Sequence, residues 1–280
     1  MKIDIICPLY NAEKYIIDLN NSLLMQKNVS INKIKYILTE SNDNTESILK
    51  KNNLNYELIS KKDFSHSLVR EKAAFNSDSD IIVFISQDIK IKDDNWLEKL
   101  IKPIINNIAD ASYSRQLTSY NNIEKYTREC NYPDKSIIKS KKDIAKLGLN
   151  TFFFSDAASA IKTETFKKLN GYDQKDLPIN EDMYFAHKLI MNDYKIKYCA
   201  DSVIYHSHNL KLKDLYNRYK QTGQFFKENN YMNEYNKTKS GSSLAKYVLK
   251  RIIKEHRIGL LFRYPFDMAA RFIGMKVGER

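Results

Sequence analysis

Residues 84–96 read FISQDIKIKDDNW, an apolar run that stops at Ser86-Gln87-Asp88 and gives way to charged residues. The run from Ile81 to Ser86 is apolar almost throughout, which is typical of a strand buried in a parallel sheet. In open sheets of that kind, ligands bind beyond the carboxyl ends of the strands. The sequence therefore predicts Asp88 at a ligand-binding edge, with a simple turn cap as the alternative for this residue taken alone.

Three further short runs predict strands, and helical patterns lie between most of them. These predicted strands cover residues 3–7, 34–38 and 56–60. Alternating strands and helices are typical of an α/β fold, and strands that are apolar on both sides indicate a parallel sheet covered by helices. We therefore predict an α/β class.

Helix boundaries follow from capping residues and from the 3.6-residue spacing of apolar side chains. Asn11 is predicted to cap a first helix, and a second helix is predicted over residues 65–76. A third is predicted to start near Asp93 and Asp94, and Pro103 is expected to kink or end it.

Composition limits the class of protein. A chain of 280 residues with 42% apolar residues can bury the core of one large domain or two small ones. Its three cysteines are widely spaced and match neither a disulfide framework nor a Cys-rich metal site, which favours a reducing compartment. We find neither a secretory signal nor a run of the roughly 18–20 apolar residues that a spanning helix needs. We expect a cytoplasmic protein, or one attached to a membrane at its surface.

Polar side chains follow several predicted strands. Tyr10 and Asn11 come after the first strand, Glu40 after the second and Asp88 after the fourth. Because the sequence has no glycine-rich phosphate loop, a dinucleotide oxidoreductase and a P-loop kinase are both disfavoured. Phosphates can instead be held through a hard cation such as Mg²⁺ or Mn²⁺, which carboxylate oxygens bind. Asp88 is the predicted ligand.

The second half of the chain offers further candidate residues. Asn180-Glu181-Asp182 is predicted to begin a helix. Acidic residues are common there because they complement the helix dipole, so a structural role and the role of a general base both stay open. A later strand ends at His206 and His208, and an extended backbone points both imidazoles to the same side. Such a pair can bind a metal ion or serve structurally.

The order of these segments resembles glycosyltransferase family 2 and, within it, a rhamnosyltransferase-type branch. The resemblance covers roughly residues 3–226, most of the chain. SQD resembles the DXD motif of that family, and Ser67 stands where the related FxHG segment has glycine. The segments, in order, are ICPLYNAEKYI, LTESNDNTESI, DFSHSLVREKA, VFISQD, YSRQ, CNYP, NGYDQ, INEDMYFAHKLI and VIYHSHN.

The resemblance implies a GT-A fold, which is a Rossmann-like mixed sheet flanked by helices, with a C-terminal helical extension. We expect a glycosyltransferase domain over residues 1–229 and a basic amphipathic extension over residues 230–280. The resemblance also implies a nucleotide-diphosphate sugar donor and a divalent metal, Mg²⁺ or Mn²⁺. The implied donor-binding residues are Pro8, Tyr10, Asn11, Glu40, Arg70, Gln87 and Asp88. The implied metal ligands are Asp88, His206 and His208.

The implied reaction is an inverting sugar transfer in cell-surface polysaccharide biosynthesis. Asp182 is the implied base, Glu181 supports it or contacts the acceptor, and Asp156 lies on the acceptor side. Rhamnose from dTDP-rhamnose is the candidate donor group, and a saccharide or lipid-linked saccharide is the acceptor. A UDP-hexose donor is the alternative within the fold. A non-catalytic scaffold that binds polyanions or membranes is the alternative outside it.

The net charge of +12 is concentrated towards the C-terminus, where residues 241–280 hold nine Lys or Arg and three Asp or Glu. Apolar and basic residues interleave there, as in helices that lie on an anionic membrane. A helix pair that buries its apolar face within the protein or in a homodimer explains the pattern equally well. Because no recognition motif accompanies the charge, we expect no nucleic-acid partner.

Overall fold

The computed structural model describes residues 1–206, 208–235 and 237–280, without the side chains of residues 237–240. The chain divides into two compact units. The first comprises Met1–Arg115, Asp134–Lys141 and Phe152–His206, and the second comprises Gln116–Pro133, Lys142–Thr151 and Ser207–Arg280. The helix Leu212–Glu228 falls within the predicted first domain, residues 1–229, but belongs to the second unit. The predicted division at residue 229 stays a prediction.

A mixed sheet forms the centre of the first unit. Its strands are β1 Ile3–Leu9, β2 Ile31–Thr39, β3 Tyr56–Ile59, β4 Ile81–Ile85, β5 Lys90–Ile91, β6 Ala111–Leu117, β7 Ile137–Lys139, β8 Ala158–Lys162 and β9 Ile196–Tyr205. Their order is β3-β2-β1-β4-β8-β6-β9-β5, and β7 pairs with β9. Strands β1 to β4 are parallel to one another, whereas β8 joins β4 in the antiparallel sense. The predicted α/β class is confirmed.

Helices flank this sheet and make up most of the second unit. They are α1 Ile16–Leu24, α2 Thr45–Lys51, α3 His66–Phe75, α4 Trp96–Ile105, α5 Ile123–Asn131, α6 Ile144–Leu147, α7 Thr163–Lys168, α8 Glu181–Met191, α9 Leu212–Glu228, α10 Lys237–Lys254 and α11 Ile258–Gly278. Within the described ranges, none of the helices combines the length and the apolar content needed to cross a membrane.

The core of the first unit contains the side chains that the sequence pattern predicts. Strand β4 is buried along its whole length, and β1 is buried except at Pro8. Trp96, Leu97 and Leu100 form part of the buried face of α4 that the 3.6-residue spacing predicts. Trp96 also donates its indole N–H to the hydroxyl of Ser114 at 2.9 Å. Because β1, β2 and β4 are parallel neighbours, their carboxyl ends meet at one edge of the sheet.

The predicted start of the first helix is wrong. Helix α1 begins at Ile16, with Tyr15 at the N-cap position, rather than directly after Asn11. Asn11 has a left-handed backbone conformation, with a φ of 48°, and its side-chain oxygen accepts a hydrogen bond from the backbone N–H of Asn42. The side chain that could cap a helix therefore connects two loops instead.

The third predicted helix begins slightly later than expected. Helix α4 has Asn95 at its N-cap position, so Asp93 and Asp94 precede it. Asp93 accepts a hydrogen bond from the backbone N–H of Asn95 at 3.1 Å, which makes it part of the turn before the helix. Pro103 lies inside α4, and the helix ends two residues later at Ile105, close to the predicted position.

In the second unit, α9 packs against α11 through glycine residues. A Cβ atom added to Gly274 would lie 2.5 Å from the carbonyl oxygen of Tyr216, and one added to Gly278 would lie 2.0 Å from that of Lys220. A Cβ atom added to Gly223 would likewise meet the backbone of α11, 2.3 Å from a carbonyl oxygen. The obstacles are backbone atoms, so these helices approach closely because the residues between them have no side chain.

We expect Gly278→Ala to lower the free energy of unfolding by about 1–3 kcal/mol, the usual cost of overpacking a tight contact. The measurement is thermal and urea unfolding of the full chain. Gly259→Ala is the matched control, because Gly259 lies on the same helix and a Cβ atom there meets nothing within 4 Å. If the two variants had equal free energies of unfolding, α9 and α11 could make room for a side chain at Gly278 without loss of stability.

Candidate active site

The ends of β1 and β4 are joined by two reciprocal hydrogen bonds. The backbone N–H of Tyr10 donates to Oε1 of Gln87 at 2.7 Å, and Nε2 of Gln87 donates to the carbonyl of Tyr10 at 2.9 Å. The Tyr10 ring is exposed, with Nζ of Lys61 at 5.8 Å from its centre. Glu40 is also exposed and accepts a hydrogen bond from the backbone N–H of Lys61. Pro8 lies half-buried within β1. The edge therefore exposes the ring of Tyr10, whose backbone is held in place by Gln87.

The loop after β2 is held against the loop after β1. The backbone N–H of Asn11 donates to the hydroxyl of Ser41 at 2.9 Å, and that of Asn42 donates to the side chain of Asn11 at 3.0 Å. The carboxylate of Asp43 accepts a hydrogen bond from the backbone N–H of Glu13 at 3.0 Å. These bonds fix Asn11 at the sheet edge.

Asp88 follows β4 and His206 follows β9, and the two side chains meet. Oδ1 of Asp88 lies 3.5 Å from Nε2 of His206. Two atoms that each lie about 2.1 Å from one cation are separated by about 3.0–3.5 Å at common coordination angles. Both residues belong to a group of carboxylate and imidazole side chains that could hold a metal ion. His208 lies two residues further along the chain, in the second unit, and is exposed.

Arg70 of α3 and Glu181, the first residue of α8, form a buried ion pair. Nη1 of Arg70 donates to Oε1 of Glu181 at 2.8 Å and to the carbonyl of His66 at 3.3 Å. Only 4% of Arg70 and 8% of Glu181 are exposed. Removing one partner of such a pair leaves a buried charge without compensation, at a cost of about 3–5 kcal/mol. The pair therefore fixes the start of α8 relative to α3.

Asp182 and Asp156 bring two more carboxyl groups to this ion pair. Asp182 is half-buried, and its Oδ1 accepts a hydrogen bond from the backbone N–H of Met183 at 2.7 Å. Burial, followed by the charges of Glu181 and Asp156, raises the pKa of Asp182 well above its usual range. Burial also raises the pKa of Asp156 to about 6, although Arg70 acts in the opposite direction. Carboxyl groups whose pKa is shifted within a charged cluster are typical of functional sites.

Asp156 has both carboxylate oxygens engaged inside the protein. Oδ1 accepts a hydrogen bond from the hydroxyl of Ser159 at 2.7 Å, and Oδ2 accepts one from Tyr172 at 2.6 Å. Asp156 is 2% exposed, so it lies within the cluster rather than at its surface. Its predicted contact with the acceptor stays a prediction. Sequence reasoning missed Ser159 and Tyr172, although Tyr172 belongs to the quoted NGYDQ segment.

Ser67 holds the segment that leads into α8. Its hydroxyl donates to the carbonyl of Lys175 at 2.6 Å and accepts a hydrogen bond from the backbone N–H of Leu177 at 2.9 Å. A glycine at this position would make neither bond. The serine that departs from the family pattern is therefore a structural support for the helix that carries Glu181 and Asp182.

Two buried nitrogen atoms beside the cluster are available as hydrogen-bond donors. Among the described residues, Nε of Arg70 and Nδ2 of Asn180 are buried and make no hydrogen bond. Asn180 precedes α8 in a left-handed backbone conformation, with a φ of 60°. Buried donors are nearly always satisfied by protein, water or ligand. These two atoms therefore offer hydrogen bonds to a bound molecule or to ordered water.

Cys7 of β1 lies within electrostatic range of both pairs. Burial raises the pKa of its thiol, the charge of Arg70 lowers it and the charge of Asp88 raises it again. The charges of Arg70 and Asp88 therefore both act on this residue of β1.

Sequence comparison assigns this arrangement to a family. The family model described as glycosyl transferase family 2 matches residues 4–169. The chain belongs to glycosyltransferase family 2. It is 34% identical over 229 residues to the O-antigen chain rhamnosyltransferase RfbN of Salmonella typhimurium, with 80% of this chain and 72% of that protein covered. It is 31% identical over 251 residues to the O-antigen chain rhamnosyltransferase WbaN of Salmonella anatum, with 86% and 78% covered. The predicted family is confirmed.

Solved structures have the same architecture. The mannosyltransferase PcManGT from Pyrobaculum calidifontis, in complex with GDP-Man and Mn²⁺, matches with a TM-score of 0.66 at 13% identity, covering 99% of this chain and 86% of that one. S. aureus TarS 1-349 in complex with UDP-GlcNAc matches with a TM-score of 0.56 at 17% identity, covering 99% and 91%. At these identities the likeness concerns the fold alone. The predicted GT-A fold, a mixed sheet flanked by helices with a C-terminal helical region, is confirmed.

The buried carboxyl group of Asp156 gives this family 2 glycosyltransferase a testable dependence of stability on pH. Its folded-state pKa is raised from 3.8 to about 6. The group therefore contributes stability that is complete below pH about 4 and is lost as the pH rises through about 6. A shift of this size corresponds to about 3 kcal/mol. We expect Asp156→Asn to remove this part of the decrease in unfolding free energy between pH 4 and pH 7.

Urea unfolding of both proteins across that pH range measures the difference. Asp193→Asn is the control, because the Asp193 side chain is 79% exposed and lies outside the cluster. Its profile should follow that of the unmodified chain. If Asp156→Asn kept the original slope as well, the charge of Asp156 would not be the source of the pH dependence.

Proposed function

We propose that this chain is an inverting glycosyltransferase that moves rhamnose from dTDP-rhamnose to a saccharide acceptor in the assembly of a cell-surface polysaccharide. The observation that carries the proposal is the half-buried carboxyl group of Asp182 beside the buried Arg70–Glu181 pair. Its raised pKa makes it a stronger base than an exposed carboxylate. The similarity to two O-antigen chain rhamnosyltransferases supports the choice of donor sugar.

In the proposed reaction, Asp182 accepts the proton of the acceptor hydroxyl while that oxygen attacks the anomeric carbon opposite the leaving diphosphate. Attack from the opposite face inverts the configuration at that carbon. The Arg70–Glu181 pair fixes the first turn of α8, so the base is held in place before substrate binds. Nε of Arg70 and Nδ2 of Asn180 are proposed to donate hydrogen bonds to oxygen atoms of the substrate.

The proposed donor site lies at the carboxyl ends of β1, β2 and β4. Its contacts are Pro8, Tyr10, Asn11, Glu40 and Gln87. Asp88 and His206 are proposed to hold a divalent cation, with His208, two residues further along the chain, as a third ligand. A cation bound there would screen the negative charge that the nucleoside diphosphate gains as it leaves.

We extend the proposal to a lipid-linked saccharide as acceptor, with Asp156 on the acceptor side. An acceptor of this kind would place the enzyme in the cytoplasm, at the inner face of the cell membrane and attached to its surface. The basic charge of residues 241–280 supports that placement. A homodimer stays a prediction.

A ligand screen of the full-length protein tests the donor. The ligands are dTDP-rhamnose, UDP-hexoses and GDP-mannose, each with Mn²⁺, with Mg²⁺ or with EDTA. Bound donor at about 100 times its Kd stabilises the folded state by about 2.7 kcal/mol, which thermal unfolding detects. We expect stabilisation by dTDP-rhamnose with a divalent cation. If only a UDP-hexose stabilised the protein, the proposed donor would change from dTDP-rhamnose to that UDP-hexose. If none of the ligands stabilised it, the non-catalytic scaffold would be favoured.

A further inference from the structure

The outer face of α11 is apolar and exposed. Phe262, Phe266 and Phe272 are 74%, 63% and 65% exposed, and three aliphatic side chains accompany them. The six large apolar residues exposed on this helix are Ile258, Leu261, Phe262, Phe266, Phe272 and Ile273. Soluble domains rarely leave a contiguous surface of this kind uncovered, and where it occurs it marks a binding surface.

These residues share one side of the helix. At about 100° per residue, they fall within an arc of about 140°, together with Pro265 and Ala269, which are also exposed. From Ile258 to Ile273 the surface is about 22 Å long at about 1.5 Å per residue. We call this set of residues the α11 outer face. An ordinary surface helix is polar on the side that faces solvent, whereas α11 is apolar there as well as on the side where Leu260, Tyr264 and Met268 pack on the core.

The contacts on the opposite side of α11 prevent the helix from rotating to bury its outer face. Gly274 and Gly278 lie against the backbone of α9 at distances that exclude any side chain. Nε of Arg271 donates a hydrogen bond to the carboxylate of Asp267 at 3.0 Å, and Nη1 of Arg271 donates to the hydroxyl of Tyr219 on α9 at 2.6 Å. Rotating the helix would break these bonds and bring large side chains against α9. The outer face therefore stays turned away from α9.

The charge around the α11 outer face favours one class of partner. Residues 241–280 hold nine Lys or Arg and three Asp or Glu. Arg263 and Lys276 are exposed on α11 itself, and Lys250 and Lys254 are exposed on α10, the preceding helix. In a symmetric dimer the same patch of both copies meets, so two strongly basic surfaces would face each other. An anionic lipid bilayer instead offers acyl chains to the phenylalanines and negative headgroups to the lysines and arginines.

We propose that the α11 outer face docks on an anionic lipid bilayer, with α11 in the plane of the membrane. Phe262, Phe266 and Phe272 insert at the boundary between headgroups and acyl chains, and the exposed basic residues contact the headgroups. This deepens the proposed placement of the enzyme. It depends on residues of the second unit alone, so vesicle binding and sugar transfer can fail independently.

The test is co-sedimentation of the full-length protein with two kinds of vesicle, phosphatidylcholine alone and phosphatidylcholine mixed with phosphatidylglycerol. We expect at least about tenfold stronger partitioning onto the anionic vesicles, weakened by salt. A triple variant, Phe262→Ser, Phe266→Ser and Phe272→Ser, should lose at least about tenfold in partitioning while keeping its thermal midpoint. Equal binding by this variant would overturn the proposal.

A matched triple variant controls for the general loss of exposed apolar surface. Leu24, Met25 and Leu58 of the first unit are 67%, 67% and 51% exposed, and their replacement by serine should leave partitioning unchanged. Lys250→Glu with Lys254→Glu should remove the preference for anionic vesicles. Equal partitioning of the unmodified protein onto both vesicles would overturn the choice of an anionic bilayer. The α11 outer face would instead be assigned to a second copy if the unmodified protein formed a dimer and bound no vesicles, and if only the phenylalanine variant abolished that dimer.

Discussion

Asp182→Asn is expected to lower kcat for sugar transfer by about 10²–10⁴-fold, the usual contribution of a positioned general base. The substitution keeps the size of the side chain and its acceptor oxygen for the N–H of Met183. It removes the ability to take a proton from the acceptor hydroxyl. Donor binding, measured as thermal stabilisation by the donor nucleotide, should be unchanged because the donor contacts proposed here lie elsewhere.

The pH profile of the reaction separates a base from a merely structural residue. Transfer by the unmodified enzyme should fall on the acid side as Asp182 becomes protonated. Because burial and neighbouring charges raise its pKa, this fall should begin at a higher pH than for an ordinary carboxylate. The residual activity of Asp182→Asn should lack that limb. Asp176→Asn, at an exposed position six residues upstream, is the control. A variant rate within tenfold of the original would assign proton removal to another group.

Strands β1 to β4 and several of the helices could be predicted because their signals are local. Runs such as Ile81 to Ile85 are apolar at every position, and α4 repeats its apolar residues with helical spacing. The start of α1 could not be found in this way. Asn11 is a good capping residue in isolation, but its side chain is used by the backbone of Asn42, which a single local pattern does not reveal.

The sequence could predict which polar side chains follow the strands, because parallel strands bring their ends to one edge. It could not predict which residues would support them. Ser67 acts on residues more than one hundred positions away, and the reach of Tyr172 to Asp156 depends on how the intervening strand and helix pack. Those partners are distant in the sequence and meet only in the tertiary structure, so neither composition nor spacing identifies them.

The second unit shows the same limit. The interleaved basic and apolar residues of the C-terminal region correctly predict helices, but they do not say which face is covered. That is decided by Gly274 and Gly278, whose missing side chains let α11 approach α9. Glycine usually argues against a helix interior, so its packing role becomes visible only with the neighbouring backbone in place.

Asp88→Asn is expected to lower transfer by about 10²–10³-fold, the range found when one group that stabilises developing charge is removed. The amide keeps the shape of the side chain and loses the negative charge that attracts a cation. The fold should be retained, because Asp88 lies in a turn after β4 and asparagine has nearly the same size. Stabilisation of the protein by donor with Mn²⁺ should decrease towards the value measured in EDTA. Asp78→Asn, whose side chain is 67% exposed, is the control.

Pairing this change with His206→Gln tests whether the two side chains act on one ion. Their atoms are 3.5 Å apart, close enough to share a cation, and residues that share a partner have non-additive effects. If both hold the same cation, the double variant should lose little more activity than Asp88→Asn alone. Fully additive losses would mean that Asp88 and His206 serve separate functions. Near-normal transfer by Asp88→Asn would show that the negative charge of Asp88 is not needed to hold a cation, since the pair offers no other carboxylate.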